Sequence, residues 1–174
     1  AACDLLILGG GPAGCAAGIL ACQRGLNVVV LETRGGPRTG PGETLHPGAS
    51  AVFERLGVAS QVEAISTLRP AEQRVVLGED VRTAAYGNDS RGSWRGYQIL
   101  RSDLNRILLA RFEALGGMVV RIDARPEPIR KGDMVLGLRT PDLSIESEYT
   151  IDATGGAGVL RRALNIRRFQ LSPP

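Results

Sequence analysis

Histidine, lysine and cysteine are scarce in this sequence. His46 and Lys131 are the single residues of their kinds, and the cysteines are Cys3, Cys15 and Cys22. One histidine excludes every site that needs two, and the cysteine spacing matches neither a zinc site nor a redox pair. The three cysteines are therefore predicted to be small residues of the core, with Cys15 and Cys22 on one helix.

Long apolar runs and clusters of positive charge are also missing. No uninterrupted apolar stretch approaches the ~20 residues that a membrane helix needs, and the N-terminal segment lacks the basic lead of a signal peptide. All but one of the 21 basic residues are arginine, yet they are scattered among acidic residues and lack clustered aromatics, which argues against nucleic-acid binding. The expectation is a soluble cytoplasmic protein with neither a membrane nor a nucleic-acid partner.

The N-terminal residues predict a strand, a helix and a second strand. Residues 4–8 are a short apolar run that ends at three glycines, which is typical of a buried parallel strand. Small and apolar residues over 12–24 predict a helix packed closely on a sheet, and the β-branched run at 27–31 predicts the second strand. Together these segments form a βαβ unit.

Beyond this unit the pattern alternates between loop, strand and helix. Glycine and proline dominate residues 33–48, which predicts a loop, and Ser102 is expected to cap a helix. The other expected elements are a helix over 49–56, strands over 73–77, 81–86 and 97–100, a helix over 102–115, a strand over 118–122, a hairpin of 134–139 with 144–151, and a helix over 157–164. The fold class is therefore α/β, a mostly parallel Rossmann-like sheet with an antiparallel insertion over 72–100.

The turn between the first strand and the first helix carries the clearest chemical motif. It consists of Gly9, Gly10, Gly11, Pro12, Ala13 and Gly14. Gly9 allows the tight turn, Gly11 lets a pyrophosphate approach the backbone, and Gly14 permits close packing of the helix. Glu32, at the end of the second strand, is placed to accept hydrogen bonds from a ribose diol, and its charge disfavours a 2′-phosphate. The motif predicts an adenine dinucleotide and leaves FAD and NAD open.

Four segments, in chain order, resemble one superfamily of flavoproteins. The first is LILGGGPAGCAAGILACQRGLNVVVLE, which resembles the FAD domain of glutathione-reductase-like flavoproteins. It is more similar still to p-hydroxybenzoate-hydroxylase-type monooxygenases, geranylgeranyl reductases and flavin-dependent halogenases. The second is PGETLHPGASAVFERLGV, which resembles the segment that runs past the flavin in halogenase-like members and in quinoprotein-maturation monooxygenases. The last two are YQILRSDLNRILLARFEALGG, which resembles a strand–arginine–helix segment, and YTIDATGGAGVLRRAL, which resembles a second glycine-rich turn.

This resemblance implies FAD as the cofactor and assigns further residues to it. Arg101 matches the arginine that reaches the FAD phosphate or ribityl region, and Ala124 matches a position whose backbone touches adenine. Arg34 is assigned to the adenine side or, alternatively, to solvent. The full implied set is the turn at 9–14 with Glu32, Thr33, Arg34, Glu43, Thr44, Arg101, Ala124, Asp152 and Gly155, the last two belonging to the second turn.

By the same resemblance, Glu43, Thr44 and His46 lie in the loop nearest the flavin ring. His46 is the one candidate for an acid or base on the substrate side. The alternative is that His46 caps the helix that begins near Pro47. No metal site is predicted, and no other residue is a catalytic candidate.

The resemblance implies an FAD-dependent oxidoreductase, with a monooxygenase as the leading interpretation. Reduced flavin and O2 would act on a small organic or peptidyl substrate, with NAD(P)H or a reductase as electron donor. A halogenase or a geranylgeranyl-type reductase on the same scaffold, a non-catalytic dinucleotide-binding module or partner subunit, and an NAD-only dehydrogenase remain alternatives. Residues 1–174 are expected to form the N-terminal portion of the FAD-binding domain, with the 72–100 insertion toward the substrate side and a C-terminal half of the parent enzyme missing.

Overall fold

The computed structural model of the protein describes residues 2–33, 42–90, 92–167 and 169. It divides into two compact units, one formed by Ala1–Gly36 with Phe112–Pro174 and the other by Pro37–Arg111. In chain order the elements are β1 (Ala2–Leu8), α1 (Pro12–Cys22), β2 (Val28–Thr33), β3 (Gly42–Leu45), α2 (Ala49–Leu56), α3 (Ala59–Ala64), β4 (Glu72–Leu77), β5 (Asp80–Ala85), β6 (Asn88–Asp89), β7 (Gly92–Ser93), β8 (Tyr97–Leu100), α4 (Arg101–Ala114), β9 (Met118–Ile122), β10 (Glu127–Lys131), β11 (Met134–Thr140), β12 (Leu143–Asp152), a 3₁₀ turn (Gly155–Ala157) and α5 (Val159–Ala163).

The first unit is built on a six-stranded sheet in the order β10-β11-β12-β1-β2-β9. The strands β12, β1, β2 and β9 run parallel, and β10 and β11 add an antiparallel edge. Leu6 and Ile7 of the central strand β1 are 0% exposed, because a parallel strand in mid-sheet is covered on both faces. The predicted α/β class with a mostly parallel sheet is confirmed.

Small residues let α1 pack closely within the first unit. A Cβ atom at Gly18 would lie only 2.8 Å from the ring of Phe112, and Cys15 and Ile19 of α1 are fully buried. The helix prediction over 12–24 is confirmed to within two residues, since α1 ends at Cys22. Cys3 and Cys15 are core residues as predicted, while Cys22 is half-buried.

The second unit combines short strands with two helices. The strands β3 and β8 pair antiparallel, and the edge of Phe53 in α2 meets the ring of Tyr97 in β8 with centroids 5.5 Å apart. The helix α2 has the bounds predicted from the sequence and ends at Gly57, whose φ of +72° is the left-handed conformation that glycine adopts most easily. The strands β4 and β5 form an antiparallel hairpin in which every residue is exposed.

The structure corrects several expectations about the elements. The predicted loop over 33–48 is wrong at Gly42–Leu45, because β3 forms there by pairing with β8. Ser102 does not cap α4, since this helix already begins at Arg101, directly after β8. The elements that the sequence did not predict are α3, β6, β7 and β10. The helix predicted over 157–164 is replaced by the 3₁₀ turn and the shorter α5.

The described ranges contain neither a membrane-spanning helix nor a metal-binding cluster. No helix in them combines the length and the apolar character needed to cross a lipid bilayer. No group of three or more histidine, cysteine, aspartate or glutamate side chains in them could hold a metal ion.

Candidate cofactor-binding site

The glycine turn after β1 is held in close contact with the residues that follow β12. Gly9 has a φ of +106°, and a Cβ atom there would lie 2.7 Å from the carbonyl oxygen of Ala153. A Cβ atom at Gly14 would lie 1.9 Å from the carbonyl oxygen of Gly9. The N–H of Ala153 donates to the carbonyl of Leu8 at 2.8 Å, which ties the two turns together. Both glycines are therefore required by the packing of the turn itself.

Gly11 differs from its neighbours because it faces open space. A Cβ atom built on Gly11 has no other atom within 4 Å. Gly11 is the N-cap of α1, no side chain caps its N–H groups, Pro12 follows, and the first turn holds no acidic residue. The partial positive charge of this helix end therefore faces an open space without a side-chain cap or an acidic residue in the first turn. These features fit the pyrophosphate of a dinucleotide.

Glu32 is brought to the same turn by the end of β2. Its Oε2 accepts a hydrogen bond from the backbone N–H of Gly10, an interaction between one carboxylate oxygen and the middle of the glycine motif. Within the described part of the chain, Oε1 of Glu32 makes no hydrogen bond. This oxygen can therefore accept from a ribose hydroxyl. The fit to an adenosine ribose therefore rests on a carboxylate that the turn already orients.

The neighbouring strand end places two more predicted residues beside Glu32. Thr33 pairs with Ile122, the last residue of β9, and Ala124 follows two residues later and is half-buried. The parallel strands β1, β2 and β9 thus end at one edge of the sheet, where ligands of such sheets bind. Arg34 lies outside the described residues.

The carboxylate of Asp152 accepts hydrogen bonds from the second turn and from α5. Its Oδ1 accepts from the N–H of Thr154 at 3.1 Å and from the Thr154 hydroxyl, and its Oδ2 accepts from the N–H groups of Leu160 at 2.8 Å and Arg161 at 3.3 Å. Burial raises the pKa of Asp152, but the hydrogen bonds from Thr154, Arg161 and Leu160 outweigh it and hold the pKa below its ordinary value of 3.8. Both oxygens of the carboxylate are occupied by the protein. Gly155, with a φ of +61°, and Gly156 are the glycines of this turn that face open space, since a Cβ at either would have no neighbouring atom within 4 Å.

Three predicted residues of the second unit lie near one another. Arg101 forms an ion pair with Glu43 through Nη1 and Oε1, because β3 and β8 place Gly42 opposite Leu100. Thr44 is exposed on β3 next to Glu43. The guanidinium of Arg101 stays partly exposed, with 44% of the side chain accessible. The roles of these three residues toward FAD stay predictions.

His46 makes the contacts of a residue that organises the start of α2. Its Nδ1 accepts from the N–H of Gly48 at 3.1 Å, its carbonyl accepts from the N–H of Ala49 at 2.9 Å, and its ring meets Tyr86 edge-on at 5.1 Å. The N-cap of α2 is Gly48 and no side chain caps the helix, so His46 holds the N-cap residue and its role stays a prediction. Since Nδ1 is an acceptor here, the neutral ring carries its proton on Nε2.

A cleft of about 710 Å³ opens within the second unit. Arg69 fixes its wall: the Nε donates to the carbonyl of Gly96 at 2.8 Å, the guanidinium stacks 4.0 Å above the ring of Tyr97, and Nη1 pairs with Glu63. Its lining includes His46, Ser50, Glu54, Arg69, Trp94 and Tyr97. The volume is typical of a site for a small molecule. No pattern in the sequence indicates that these residues line one cavity.

The structure also adds residues that the sequence analysis did not assign to the site. Ala153 supplies the carbonyl that meets Gly9, and Thr154 both binds Asp152 and accepts from the N–H of Val159 at 3.1 Å. The thiol of Cys15 contacts the carbonyl of Gly10 at 3.1 Å. Only the spacing of the Asp-Ala-Thr-Gly segment after a strand hinted at the first two, and nothing in the sequence hinted at the third.

These features are those of an α/β dinucleotide-binding fold, with an open helix N-terminus at Gly11 and the carboxylate of Glu32 bound to the same glycine turn. The model of one family, described as FAD binding domain, matches residues 2–172. The chain therefore belongs to the FAD-binding domain family, and the expectation of FAD as cofactor is confirmed.

Known relatives agree with this assignment. The chain is 26% identical over 186 residues to the flavin-dependent halogenase armH4 of Armillaria mellea, covering 95% of this chain and 34% of that protein. It is 28% identical over 156 residues to a menaquinone reductase of Mycolicibacterium smegmatis, covering 86% of this chain and 32% of that protein. The chain thus spans about a third of the length of these curated relatives.

A solved structure shares the fold over the whole chain. PqsL of Pseudomonas aeruginosa, a probable FAD-dependent monooxygenase, superposes with a TM-score of 0.80 at 24% identity, covering 100% of this chain and 48% of PqsL. PqsL has also been solved in complex with 2-aminobenzoylacetate. At this identity the likeness establishes the fold.

Proposed function

We propose that this chain forms the N-terminal portion of the FAD-binding domain of an oxidoreductase that uses reduced flavin and O2, most simply a monooxygenase. The observation that carries the proposal is the family match over residues 2–172, in a chain whose helix N-terminus, open Gly11 and oriented Glu32 suit the adenosine diphosphate half of FAD. Bound FAD supplies the redox chemistry. The residues of this chain bind and orient it.

In this proposal each residue has a defined task. The N–H groups at the start of α1 bind the pyrophosphate, Glu32 accepts from the ribose hydroxyls, and the backbone at Ala124 lies against adenine. Gly155 leaves space for the dinucleotide at the second turn. Arg101, held by Glu43, presents a positive charge to a phosphate or the ribityl chain, and Thr44 lies on the flavin side.

We further propose that the cleft of the second unit takes a small-molecule or peptidyl substrate, and that the 72–100 insertion is on the substrate side. Support comes from the cleft volume and its mixed lining of aromatic, carboxylate and hydroxyl groups. His46 lines this cleft, and its Nε2–H is a donor that a substrate can meet. A cytoplasmic location, and NAD(P)H or a reductase as electron donor, belong to the same proposal.

The cofactor assignment is tested on the purified chain. We expect FAD, identified after release, at about one per chain, or tight binding of added FAD followed by flavin absorbance. Glu32→Ala should weaken FAD binding about tenfold or more, because it removes charge-assisted hydrogen bonds to the ribose. FAD affinity unchanged in Glu32→Ala would contradict the assigned site.

The reaction class is tested by following O2 consumption with reduced flavin supplied, in the presence and absence of chloride or bromide. A monooxygenase gives an oxygenated product in both conditions. A halide-dependent product would instead identify a halogenase, the alternative favoured by the likeness to armH4. Reduction of a substrate without O2 consumption would identify a reductase.

A further inference from the structure

The thiol of Cys15 contacts Gly10, the middle residue of the glycine turn at 9–11. The thiol is 3.1 Å from the carbonyl oxygen of Gly10 and is buried. The N–H of the same glycine donates to Oε2 of Glu32. The backbone of Gly10 is therefore held at both its polar groups, at the carbonyl by Cys15 and at the N–H by Glu32.

The thiol of Cys15 is suited to donate to this carbonyl. Burial and, second to it, the nearby negative charge of Glu32 together raise the pKa of Cys15 to about 12. A thiol with such a pKa keeps its proton throughout the neutral range. Since the carbonyl of Gly10 can only accept, the proton of the thiol lies between sulfur and oxygen.

Gly10 needs such a contact because it has no side chain to restrict its conformation. Glycine loses more conformational freedom on folding than any other residue, and the neighbouring Gly9 and Gly11 add no side chain either. Gly9 is held by the hydrogen bond from its N–H to the carbonyl of Leu31 at 2.8 Å. Within the described residues, two side chains hold Gly10 by hydrogen bonds: Glu32 accepts from its N–H, and Cys15 donates to its carbonyl.

We propose that Cys15 is a positioning residue for ribose recognition: it holds the carbonyl of Gly10, and thereby sets the direction in which the N–H of Gly10 orients the carboxylate of Glu32. This inference rests on the proposed FAD site. Cys15 is then more than a small core residue, because it affects the selectivity of the site for the ribose. Its effect is on how well Glu32 meets the ribose hydroxyls, and little on the pyrophosphate.

The test uses ADP, the half of FAD that these residues contact, and 2′-deoxy-ADP, measured by calorimetry on the intact chain. Wild type is expected to prefer ADP by about tenfold or more, because the deoxy analogue lacks a hydroxyl that donates to the carboxylate of Glu32. Cys15→Ala should reduce this preference by about threefold or more, the value of one hydrogen bond. Cys15→Ser keeps a donor at the same position and should retain the preference.

Matched variants separate positioning from packing. Cys22→Ala changes the other cysteine of α1, which is half-buried, and should leave the preference unchanged. Cys15→Val fills the space of the thiol without a hydrogen-bond donor. It should reduce the preference for ADP as Cys15→Ala does, and it replaces that variant if the alanine protein does not fold. A merely structural role of Cys15 would weaken both nucleotides equally.

The outcomes are distinct. A preference for ADP that is the same in wild type, Cys15→Ala and Cys15→Val overturns the inference and leaves the FAD site intact. A wild-type chain that binds neither nucleotide overturns the proposed site, and the inference with it. A preference reduced about threefold or more in the alanine and valine variants and retained in the serine variant supports both.

Discussion

At the scale of single residues, the glycines of the first turn divide into two kinds. Gly9 and Gly14 are required by the protein, since a Cβ atom at either would overlap a backbone oxygen. Gly11 is not, since the space before it is empty. The same motif therefore contains residues that preserve the fold and a residue that preserves room for a ligand.

Substitutions at Gly11 and Gly14 should therefore have opposite effects. Gly11→Val should leave the free energy of unfolding within about 1 kcal/mol of wild type, yet abolish FAD binding, because its side chain occupies the pyrophosphate space. Gly14→Ala should lower the free energy of unfolding by about 2 kcal/mol or more, since its Cβ collides with the carbonyl of Gly9. Urea unfolding and FAD titration of both variants check this. Equal loss of stability in the two would contradict it.

Asp152 supports a further prediction at the residue scale, which concerns acid stability. Its folded pKa is below the ordinary 3.8, so its contribution is complete above pH 3.8 and is lost as the pH falls through the folded pKa. Asp152→Asn should lower the free energy of unfolding at pH 7 by about 2 kcal/mol, because an amide cannot accept at both atoms. The difference from wild type should shrink below pH 3.8. Denaturant titrations between pH 3 and 7 measure it, and a constant difference would contradict the assignment.

At the scale of elements, the sequence predicted those whose pattern is local. The strand β1, the helix α1 and the strand β2 follow from an apolar run, small helical residues and a β-branched run. The strand β3 was missed because glycine-rich residues form it only by pairing with β8, a partner about 55 residues away. The strand β10 was missed because it contains Pro128, which an edge strand tolerates.

The same limit applies to the candidate site. The positions of Gly9, Gly11, Gly14 and Glu32 were readable, because their spacing is imposed by one strand and one helix. The bonds of Asp152 to α5 and the contact of Cys15 with Gly10 were not, because they depend on how distant or buried groups finally pack.

The β4–β5 hairpin should be less protected than β8 of the same unit. Each of its residues is exposed, including Val76 at 60% and Leu77 at 67%, and two-stranded hairpins have little stability of their own. Its amide hydrogens should therefore exchange faster than those of β8, measured by hydrogen–deuterium exchange with mass spectrometry. Protection equal to that of β8 would show that the hairpin is covered in solution.

Trp94, which directly follows β7, offers a direct probe of the cleft. It is the only tryptophan of the sequence, it lines the cleft, and it is 43% exposed. A small molecule that enters the cleft should therefore change the emission of the whole chain, with a midpoint equal to its Kd. Leu26→Ala, an exposed residue of the first unit, serves as a control that keeps the response. A ligand that binds without any change in emission would not occupy this cleft.

At the scale of the whole molecule, ligand binding should appear as stability. FAD at a free concentration of 100 times its Kd should raise the free energy of unfolding by about 2.7 kcal/mol. FMN, which lacks the adenosine half, should have little effect, because the contacts assigned to Glu32 and the first helix turn serve that half. Thermal unfolding with each cofactor compares them, and equal stabilisation by FMN would place the main contacts elsewhere.

The central strand of the sheet joins residues from opposite ends of the chain. The strand β1 pairs on one side with β2, and on the other with β12, placing Leu5 beside Tyr149. During synthesis β1 therefore leaves the ribosome long before β12 has been made. Until then, the edge of β1 that pairs with β12 stays unpaired. Long-range parallel pairing of this kind slows folding. The glycine turn at Gly9, which lies against Ala153, can therefore reach its final packing only after residue 153 has been synthesised.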